Sequence, residues 1–319
     1  MGNLKMVDLF TGIGGFSKAF ETVFDTIGYC DISEYCRKLI RSNIQKGILP
    51  DAPICEDIRN INRESFNGYP CVLTGGFPCQ DLSSVNPKGL GMKGSRTGLF
   101  FEIIRIVRVF PEVKHIILEN VTRLESKGGL CVVKSELNQI GFDVKYCTIS
   151  AGQLGAHHER KRIFIVASKS FSHLRKHSGN INHHFSWEES PAKLIKCIDP
   201  LVRKEIRNRC GACGNAIVPL CAVKAFRHMV FEEDIPESKI DLGLILSDGE
   251  IEYKKKLWGT PYACTRRYYK YKNLSKRSTT VLYNQLFYEK NNKFDNKTHT
   301  INPNFIEWMM GYPSDYSKC

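Results

Sequence analysis

The sequence predicts an α/β fold with a doubly wound, mostly parallel sheet and a smaller carboxy-terminal domain. Apolar, strand-like runs alternate with amphipathic, helical runs through the first half of the chain. This alternation is typical of a parallel sheet that is covered by helices on both faces. A glycine-rich turn follows the first strand-like run, at the position where open sheets of this class bind ligands. The 319 residues, of which 42% are hydrophobic, are enough for a large core.

The individual elements follow from these runs in chain order. Strands are predicted at residues 4–10, 26–31, 69–74, 113–119, 146–151 and 162–167, and helices at 15–24, 33–43, 98–110 and 134–140. After Ser168 the pattern fades, and residues 170–190, which are rich in His, Asn and Ser, are expected at the surface. Residues 211–229 are predicted to form a loop followed by an apolar helix.

The composition changes near residue 230. From Glu232 onward the chain is rich in Lys, Arg, Tyr and Asn with weak periodicity, so we predict two domains, residues 1–230 and 231–319. The net charge is +13 and the pI is about 9.1, which favours a polyanionic partner. A basic, lysine-rich proteome would also explain this charge.

Composition also bears on location and on the cysteines. No apolar run approaches the ~20 residues of a membrane span, and the amino terminus runs directly into a strand without a signal peptide. A cytoplasmic protein is therefore expected. The 13 cysteines, an odd number, are expected to be mostly reduced core residues. Cys210 and Cys213 have the spacing of half a metal site, but no second such pair exists in the sequence and no metal is predicted.

The most informative motif is Gly-Gly-Phe-Pro-Cys-Gln at residues 75–80, which follows a predicted strand. Forty residues later a second apolar run ends in Glu119 and Asn120. The carboxyl ends of parallel strands meet at one edge of a sheet, where such folds place their reactive groups. Cys79 and Glu119 can then act on one substrate, with the thiolate as nucleophile and the carboxyl group as proton donor.

A second constellation lies at the first strand. The turn Thr-Gly-Ile-Gly-Gly-Phe at residues 11–16 allows the backbone to approach a ligand closely. It is not the G-x-G-x-x-G of dinucleotide-binding proteins. Asp31 and Asp57 end the next two segments, where they are placed to bind a ribose and an adenine amino group. Each acid taken alone fits a solvated or capping residue better, but in this order both are predicted to contact a nucleoside.

Taken together, these motifs resemble the DNA cytosine-5 methyltransferase family of the phage, prophage or restriction-modification type. The resemblance covers roughly residues 4–225 and a short piece near the end. The matching motifs are Asp8-Leu-Phe-Thr-Gly-Ile-Gly-Gly-Phe16, Gly75-Gly-Phe-Pro-Cys-Gln80, Glu119-Asn-Val121, Arg160-Lys-Arg162 and Gly214-Asn-Ala216. The resemblance implies a Rossmann-like, class I methyltransferase fold that uses S-adenosylmethionine. It also implies methylation of carbon 5 of a flipped-out cytosine in duplex DNA through a covalent adduct with Cys79.

The resemblance implies roles for individual residues. Cys79 would be the nucleophile; Glu119, Arg160 and Arg162 would surround the target cytosine, and Asn120 would brace the loops. The cofactor contacts would be Phe10, Gly12, Gly14, Asp31, Asp57, Leu99 and Asn215. The predicted DNA contacts are Gln80, Ser83 and Arg96 in the loop after the nucleophile, and Arg266 and Arg267 in the basic, aromatic tail. The loop also fits an ordinary flexible surface loop, and the tail a strand with a solvated basic face.

Two features depart from the family pattern. His158 stands where the family usually has glutamine. In addition, too few residues separate Arg162 from Gly214 for a recognition domain. We therefore predict a rearranged order in which recognition lies in residues 231–319. Residues 301–313 resemble the family element that supports the recognition domain, yet they follow Gly214 in the chain.

Three alternative functions are an RNA cytosine-5 methyltransferase, a catalytically inactive DNA-binding relative and a dinucleotide-dependent oxidoreductase. The large carboxy-terminal segment favours DNA over RNA. Intact Cys79, Glu119, Arg160 and Arg162 argue against an inactive relative, and the missing G-x-G-x-x-G argues against an oxidoreductase. The expected partners are double-stranded DNA and a cognate restriction endonuclease that is a functional rather than a physical partner. A monomer associated with the nucleoid is expected.

Overall fold

The structure of this chain is a computed structural model. It describes residues 2–78, 98–126, 128–156, 158–185, 187, 195–197, 203–236 and 299–319. Within these ranges a seven-stranded sheet has helices on both faces, and a separate ribbon has two strands. None of the helices in the described ranges is long and apolar enough to cross a membrane.

The elements are numbered here in chain order within the described ranges. The strands are β1 (Leu4–Leu9), β2 (Phe24–Cys30), β3 (Ile54–Cys55), β4 (Val72–Gly75), β5 (His115–Val121), β6 (Asp143–Ser150), β7 (Lys161–Ser168), β8 (Ile195–Cys197) and β9 (His299–Ile301). The helices are α1 (Gly15–Ala19), α2 (Glu34–Gln45), α3 (Gly98–Val109), α4 (Arg123–Ser126), α5 (Gly129–Gln139), α6 (Phe171–His177), α7 (Arg203–Asn215), α8 (Pro219–Phe231) and α9 (Pro303–Met309).

The sheet has the strand order β3-β2-β1-β4-β5-β7-β6. β1 to β5 pair in parallel, and β7 is antiparallel to both of its neighbours. The predicted doubly wound, mostly parallel sheet is therefore confirmed. The order of strands reverses between β1 and β4, and such a switch point opens a crevice at the carboxyl ends of the strands. The register places Leu9, Gly75 and Leu118 side by side, so β1 and β4 end at the same level, whereas β5 continues to Val121 beside β7.

Alternation along the strands divides the core into two layers. In β7, Ile163, Ile165 and Ala167 belong to one apolar cluster, whereas Phe164 and Val166 belong to the other. Successive side chains of a strand point to opposite faces of the sheet. One cluster packs α3 and α5 against the sheet, and the other packs α1 and α8. Both faces are thereby removed from water, as a parallel sheet requires.

Several elements differ from the predictions because tertiary packing outweighs the local pattern. The helix predicted over residues 15–24 ends at Ala19, since Phe24 already pairs with Leu4 in the sheet. The region after Ser168 contains α6, which is capped by the Ser170 side chain, and Trp187 is buried rather than at the surface.

The loop predicted to begin at Gly211 starts later. Helix α7 continues to Asn215, because its buried residues Arg209 and Cys213 face the last helix of the chain. Only residues 216–218 separate α7 from α8. Neither cysteine of the Cys210/Cys213 pair needs a metal to explain its position, since both pack in or against this core.

The end of the chain belongs to the core of the first domain. Phe305, Trp308, Tyr312 and Tyr316 are buried in the same cluster as α1 and α8. The sequence assigns these residues to the second domain, but their packing joins them to the first. Of the predicted second domain, residues 237–298 lie outside the described residues.

Replacing His115 with asparagine is expected to flatten the acid dependence of stability. His115 is buried at the start of β5, where Nδ1 lies 2.8 Å from Ser168 Oγ and Nε2 lies 3.0 Å from His173 Nδ1. Burial lowers the pKa of His115 from 6.5 to about 3, so the unfolded chain binds a proton that the folded chain does not. The native free energy of unfolding should therefore fall, relative to His115→Asn, as the pH drops below about 6.5.

The slope of this relative loss should approach about 1.4 kcal/mol per pH unit, the value for one proton. Denaturant titrations at several pH values between about 4 and 7 measure it. The exposed His184, replaced in the same way, is the matched control. Equal slopes for the native chain and His115→Asn would contradict the prediction.

Candidate active site

The turn after β1 is the first part of the site. Gly12 and Gly14 have φ values of +58° and +87°, and Phe10 has a φ of +51°. The left-handed region suits glycine but costs a bulky residue about 1–2 kcal/mol. Strain of this kind persists where the surrounding structure enforces it, and it is concentrated at functional sites. A side chain at Gly75 would lie 3.3 Å from the Phe10 ring, so the turn directly adjoins the end of β4.

Asp31 lies beside this turn, as predicted. Its Oδ2 accepts a hydrogen bond from the Gly12 amide at 2.7 Å, and its Oδ1 accepts one from the Ser33 amide at 2.8 Å. Burial raises the pKa of Asp31, although both amide bonds oppose that rise. The carboxylate is therefore fixed at the mouth of the turn. Ile32, the next residue, is 73% exposed, which is unusual for a large apolar side chain.

Arg37 is a residue of this region that the sequence does not reveal as functional. It is buried on α2 and donates to the backbone oxygens of Asp31 at 3.0 Å and Ile32 at 2.8 Å. Its Nη2 also lies 3.3 Å from Glu56 Oε1. Arg37 thus ties the loop after β2 to the loop that carries Asp57. The available signal is an arginine on the otherwise apolar face of an amphipathic helix.

The remaining predicted cofactor contacts are Asp57, Leu99 and Asn215. Asp57 caps a short 3₁₀ helix and is bound by Arg59, whose Nε lies 2.9 Å from Oδ1 and whose Nη2 lies 2.5 Å from Oδ2. This pairing holds the pKa of Asp57 below its usual range. Leu99 packs against the core in the first turn of α3, and Asn215 is exposed at the end of α7.

Glu119 forms the second part of the site. It is buried near the end of β5, and its Oε1 lies 2.9 Å from Arg162 Nε. Its Oε2 would lie 3.3 Å from a Cβ placed on Gly76. Burial raises the pKa of Glu119, although Arg162 and Arg160 oppose the rise. The carboxyl group is therefore held against the backbone three residues before Cys79.

The two arginines of the Arg160-Lys-Arg162 motif have different surroundings. Arg162 pairs with Glu119, as described above. Arg160 is buried and donates to the backbone oxygens of Gly214 at 3.1 Å and Ala216 at 2.5 Å, and burial lowers its pKa to about 9. Arg160 therefore connects the Glu119 region to the α7–α8 junction. His158 contacts the backbone oxygen of Met309 at 2.7 Å through Nε2.

Asn120 braces the chain next to the nucleophile motif. Its Nδ2 donates to the Phe77 backbone oxygen at 3.0 Å, and its Oδ1 accepts from the Val121 amide at 2.9 Å. Phe77 is followed by Pro78 and Cys79. Asn120 therefore ties the end of β5 to Phe77, a residue of the nucleophile motif.

Asp8 is a buried acid that ties the start of α1 to β4. Its Oδ2 accepts from the Ser17 amide at 3.2 Å and from Ser17 Oγ at 3.1 Å, and its Oδ1 accepts from Thr74 Oγ1 at 3.1 Å. These contacts join β1, the first turn of α1 and β4. In the sequence, Asp8 stands out only as the first letter of a motif, and its network depends on residues that are distant along the chain.

Six predicted site residues lie outside the described residues: Cys79, Gln80, Ser83, Arg96, Arg266 and Arg267. The described residues bring together Phe10, Gly12, Gly14 and Asp31 at the turn, and Glu119 with Arg162 at the end of β5. The arrangement sets a left-handed, glycine-rich turn and a buried acid at the same edge of the sheet.

Comparison with known proteins gives consistent matches. A family model described as C-5 cytosine-specific DNA methylase matches residues 4–318. The type II methyltransferase M.Sau3AI of Staphylococcus aureus is 33% identical over 216 residues, which cover 61% of this chain and 48% of that protein. M.SsoII of Shigella sonnei is 27% identical over 261 residues, with 78% and 65% covered. M.HhaI of Haemophilus parahaemolyticus is 30% identical over 171 residues, with 52% and 50% covered. The matched regions thus span about half to two thirds of each relative's length.

Replacing Asp8 with asparagine is expected to remove a loss of stability that occurs as the pH rises. The His115→Asn change, by contrast, removes a loss that occurs as the pH falls. Burial raises the pKa of Asp8 from 3.8 to about 7, so the folded chain holds a proton that the unfolded chain releases. The stability from this proton is fully present below about pH 4 and is lost as the pH rises toward 7. Relative to the native chain, Asp8→Asn should gain up to about 1.4 kcal/mol per pH unit across this window.

Denaturant unfolding at several pH values measures this difference, and the exposed Asp143 replaced by asparagine is the matched control. A constant difference between Asp8→Asn and the native chain across the window would show that Asp8 keeps its ordinary pKa.

Proposed function

Because this chain belongs to the family of C-5 cytosine-specific DNA methylases, we propose that it methylates carbon 5 of a flipped-out cytosine in a specific duplex DNA sequence, with S-adenosylmethionine as the methyl donor. The observation that carries this proposal is Glu119, a buried acid held against Gly76. Gly76 lies three residues before Cys79. A nucleophile and a proton donor at adjoining strand ends are the pair that this reaction requires.

The residues at the turn after β1 fit a nucleoside cofactor. Gly12 and Gly14 open the backbone, Asp31 presents a fixed carboxylate, and Ile32 exposes an apolar side chain beside it. We assign the ribose to Asp31 and an apolar contact with the adenine to Phe10 and Ile32. When bound, S-adenosylmethionine supplies an electrophilic methyl group on a sulfonium. Arg37 positions Asp31 and Ile32 through their backbone oxygens.

The proposed reaction begins with Cys79. Its thiolate adds to carbon 6 of cytosine, while Glu119 gives its proton to the ring nitrogen, and the ring becomes an enamine that is nucleophilic at carbon 5. Carbon 5 takes the methyl group and then loses its proton to water. Expulsion of the Cys79 thiolate restores the double bond, and the ring nitrogen returns its proton to Glu119.

The surroundings of Glu119 suit both of its proposed states. Burial raises its pKa, and we propose that Glu119 donates a proton to the substrate. After the proton leaves, the carboxylate is stabilised by Arg162, whose Nε lies 2.9 Å away. Arg160 instead holds the backbone of Gly214 and Ala216. We therefore assign Arg160 a positioning role and Arg162 a place at the substrate.

The proposed substrate contacts beyond the described residues come from the sequence. Gln80, Ser83 and Arg96 follow the nucleophile in the sequence, and we propose that they contact the DNA. The target base must leave the stack to reach Cys79. The net charge of +13 suits a polyanionic substrate. We also propose that the protein is a cytoplasmic, nucleoid-associated monomer. A cognate restriction endonuclease would recognise the same DNA sequence, in keeping with relatives named as type II methyltransferases.

We assign sequence recognition to residues 237–298. Phe305, Trp308, Tyr312 and Tyr316 pack into the core of the first domain, so the proposed recognition region is shorter than the predicted second domain. It contains Arg266 and Arg267 among tyrosines and lysines, a composition suited to phosphate and base contacts.

Bisulfite sequencing of plasmid DNA from cells that express the chain tests the proposed activity. Protected cytosines should occur within one short sequence. Cys79→Ser should reduce protection to the level of cells without the chain, because a hydroxyl neither ionises nor leaves as a thiolate does. The exposed Cys131, replaced by serine, is the matched control and should keep full protection. Full protection by Cys79→Ser, or none by the native chain, would overturn the proposal.

The double change of Arg266 and Arg267 to alanine is expected to weaken DNA binding in a salt-dependent way. If both side chains contact phosphates, the slope of log K against log salt should become shallower by about 2. Affinity for S-adenosylmethionine should not change, since the cofactor turn lies in the other part of the chain. Fluorescence anisotropy with a duplex at several salt concentrations measures the slope. An unchanged slope together with unchanged site choice would exclude these arginines from the DNA interface.

A further inference from the structure

Residues 303–319, called the clasp here, pack behind the turn after β1, which is called the glycine turn (residues 11–16). The anchor of the clasp is Glu307, which is fully buried on α9. Arg209 of α7 approaches Glu307 Oε1 at 2.9 Å, and the Ser317 amide donates to the same oxygen at 2.8 Å. The Ser317 hydroxyl also bonds to this carboxylate. A buried carboxylate with several partners strongly disfavours separation of the elements that supply them.

Two tyrosines of the clasp lie directly behind the glycine turn. The rings of Tyr312 and Tyr316 are buried, with centroids 4.7 Å apart. A Cβ on Gly15 would lie 2.5 Å from the Tyr312 hydroxyl, and a Cβ on Gly14 would lie 3.3 Å from the Tyr316 hydroxyl. The two glycines therefore leave the space that the tyrosines occupy, and the turn rests on the clasp.

Tyr312 also contacts the α7–α8 junction, residues 216–218, which adjoins the glycine turn. Its hydroxyl donates to the Ile217 backbone oxygen at 2.9 Å, and the Ile217 side chain would lie 2.5 Å from a Cβ on Gly15. Arg160 binds the backbone oxygens of Gly214 and Ala216 in the same junction. The α7–α8 junction is thus held by Arg160 from one element and by Tyr312 from another.

Tyr316 offers a natural comparison within the same clasp. Its hydroxyl is buried but makes no hydrogen bond within the described residues. Its attachment to the domain runs through its backbone oxygen, which accepts from Asn43 Nδ2 at 3.1 Å. Removing the Tyr316 hydroxyl therefore breaks no described bond, whereas removing the Tyr312 hydroxyl leaves the Ile217 oxygen without this donor.

We infer that Tyr312 is a positioning residue for the cofactor site: it fixes the α7–α8 junction against the glycine turn, so that both are preorganised for S-adenosylmethionine. The inference rests on the proposed function, which places the cofactor at this turn. Preorganisation reduces the ordering cost of binding. Its loss should therefore weaken cofactor binding without altering the chemistry at Cys79.

Calorimetric titration of the full chain with S-adenosylmethionine tests the inference. Tyr312→Phe should raise the dissociation constant roughly tenfold, which corresponds to about 1.4 kcal/mol, the size of one hydrogen bond. Tyr316→Phe should stay within about twofold of the native value. The rate at saturating cofactor should be native-like for Tyr312→Phe, with the loss confined to the cofactor KM. A purely structural role would instead lower Tm without moving the dissociation constant, and that result would overturn the inference.

The outcomes also separate this inference from the proposed function. If the native chain does not bind S-adenosylmethionine, the proposed function fails and the inference falls with it. If the native chain binds and Tyr312→Phe binds equally well, only the inference fails. Should Tyr312→Phe not fold, Ser317→Ala loosens the clasp at Glu307 without touching the turn. It should raise the dissociation constant in the same direction but less, and an unchanged value would refute the inference.

Discussion

The shared register of three parallel strands is the constraint on which the rest of this site depends. Leu9, Gly75 and Leu118 are register partners across β1, β4 and β5. The next residues along each strand are therefore neighbours at the switch point of the sheet. This alignment places Phe10, Gly76 and Glu119, which follow the three register partners, next to one another at this edge of the sheet. A shift of one residue would turn the side chains of Phe10 and Glu119 to the opposite face.

Buried polar contacts then fix the loops that leave this edge. Asp8 joins the first helix to β4, Asn120 holds the Phe77 oxygen, and Arg37 holds the loop after Asp31. Each contact satisfies a backbone or side-chain group that would otherwise be costly to bury. Burial at the same edge of the sheet raises the pKa of Glu119.

Local patterns in the sequence were sufficient for the alternating strands and helices, for the strand-end placement of Asp31 and Glu119, and for the family. They could not reveal contacts between residues far apart in the chain. Arg160 binds carbonyls more than 50 residues away, and His158 contacts Met309 across 151 positions. The same limit explains why the end of the chain was assigned to a second domain. The residues that precede it are basic and aromatic, so the composition alone groups it with them. Its burial instead depends on packing against α1, α7 and α8, which a local pattern does not encode.

We propose that Cys79 attacks the target base while Glu119 supplies the proton. Duplex DNA that carries 5-fluorocytosine at the target tests this step, because the fluorine at carbon 5 cannot leave as the proton does. A denaturation-resistant complex that requires S-adenosylmethionine is expected, with the modified peptide mapped to Cys79, and Glu119→Gln should form this complex much more slowly. If the chain methylates ordinary DNA yet forms no such complex, or forms it through another residue, Cys79 is not the nucleophile.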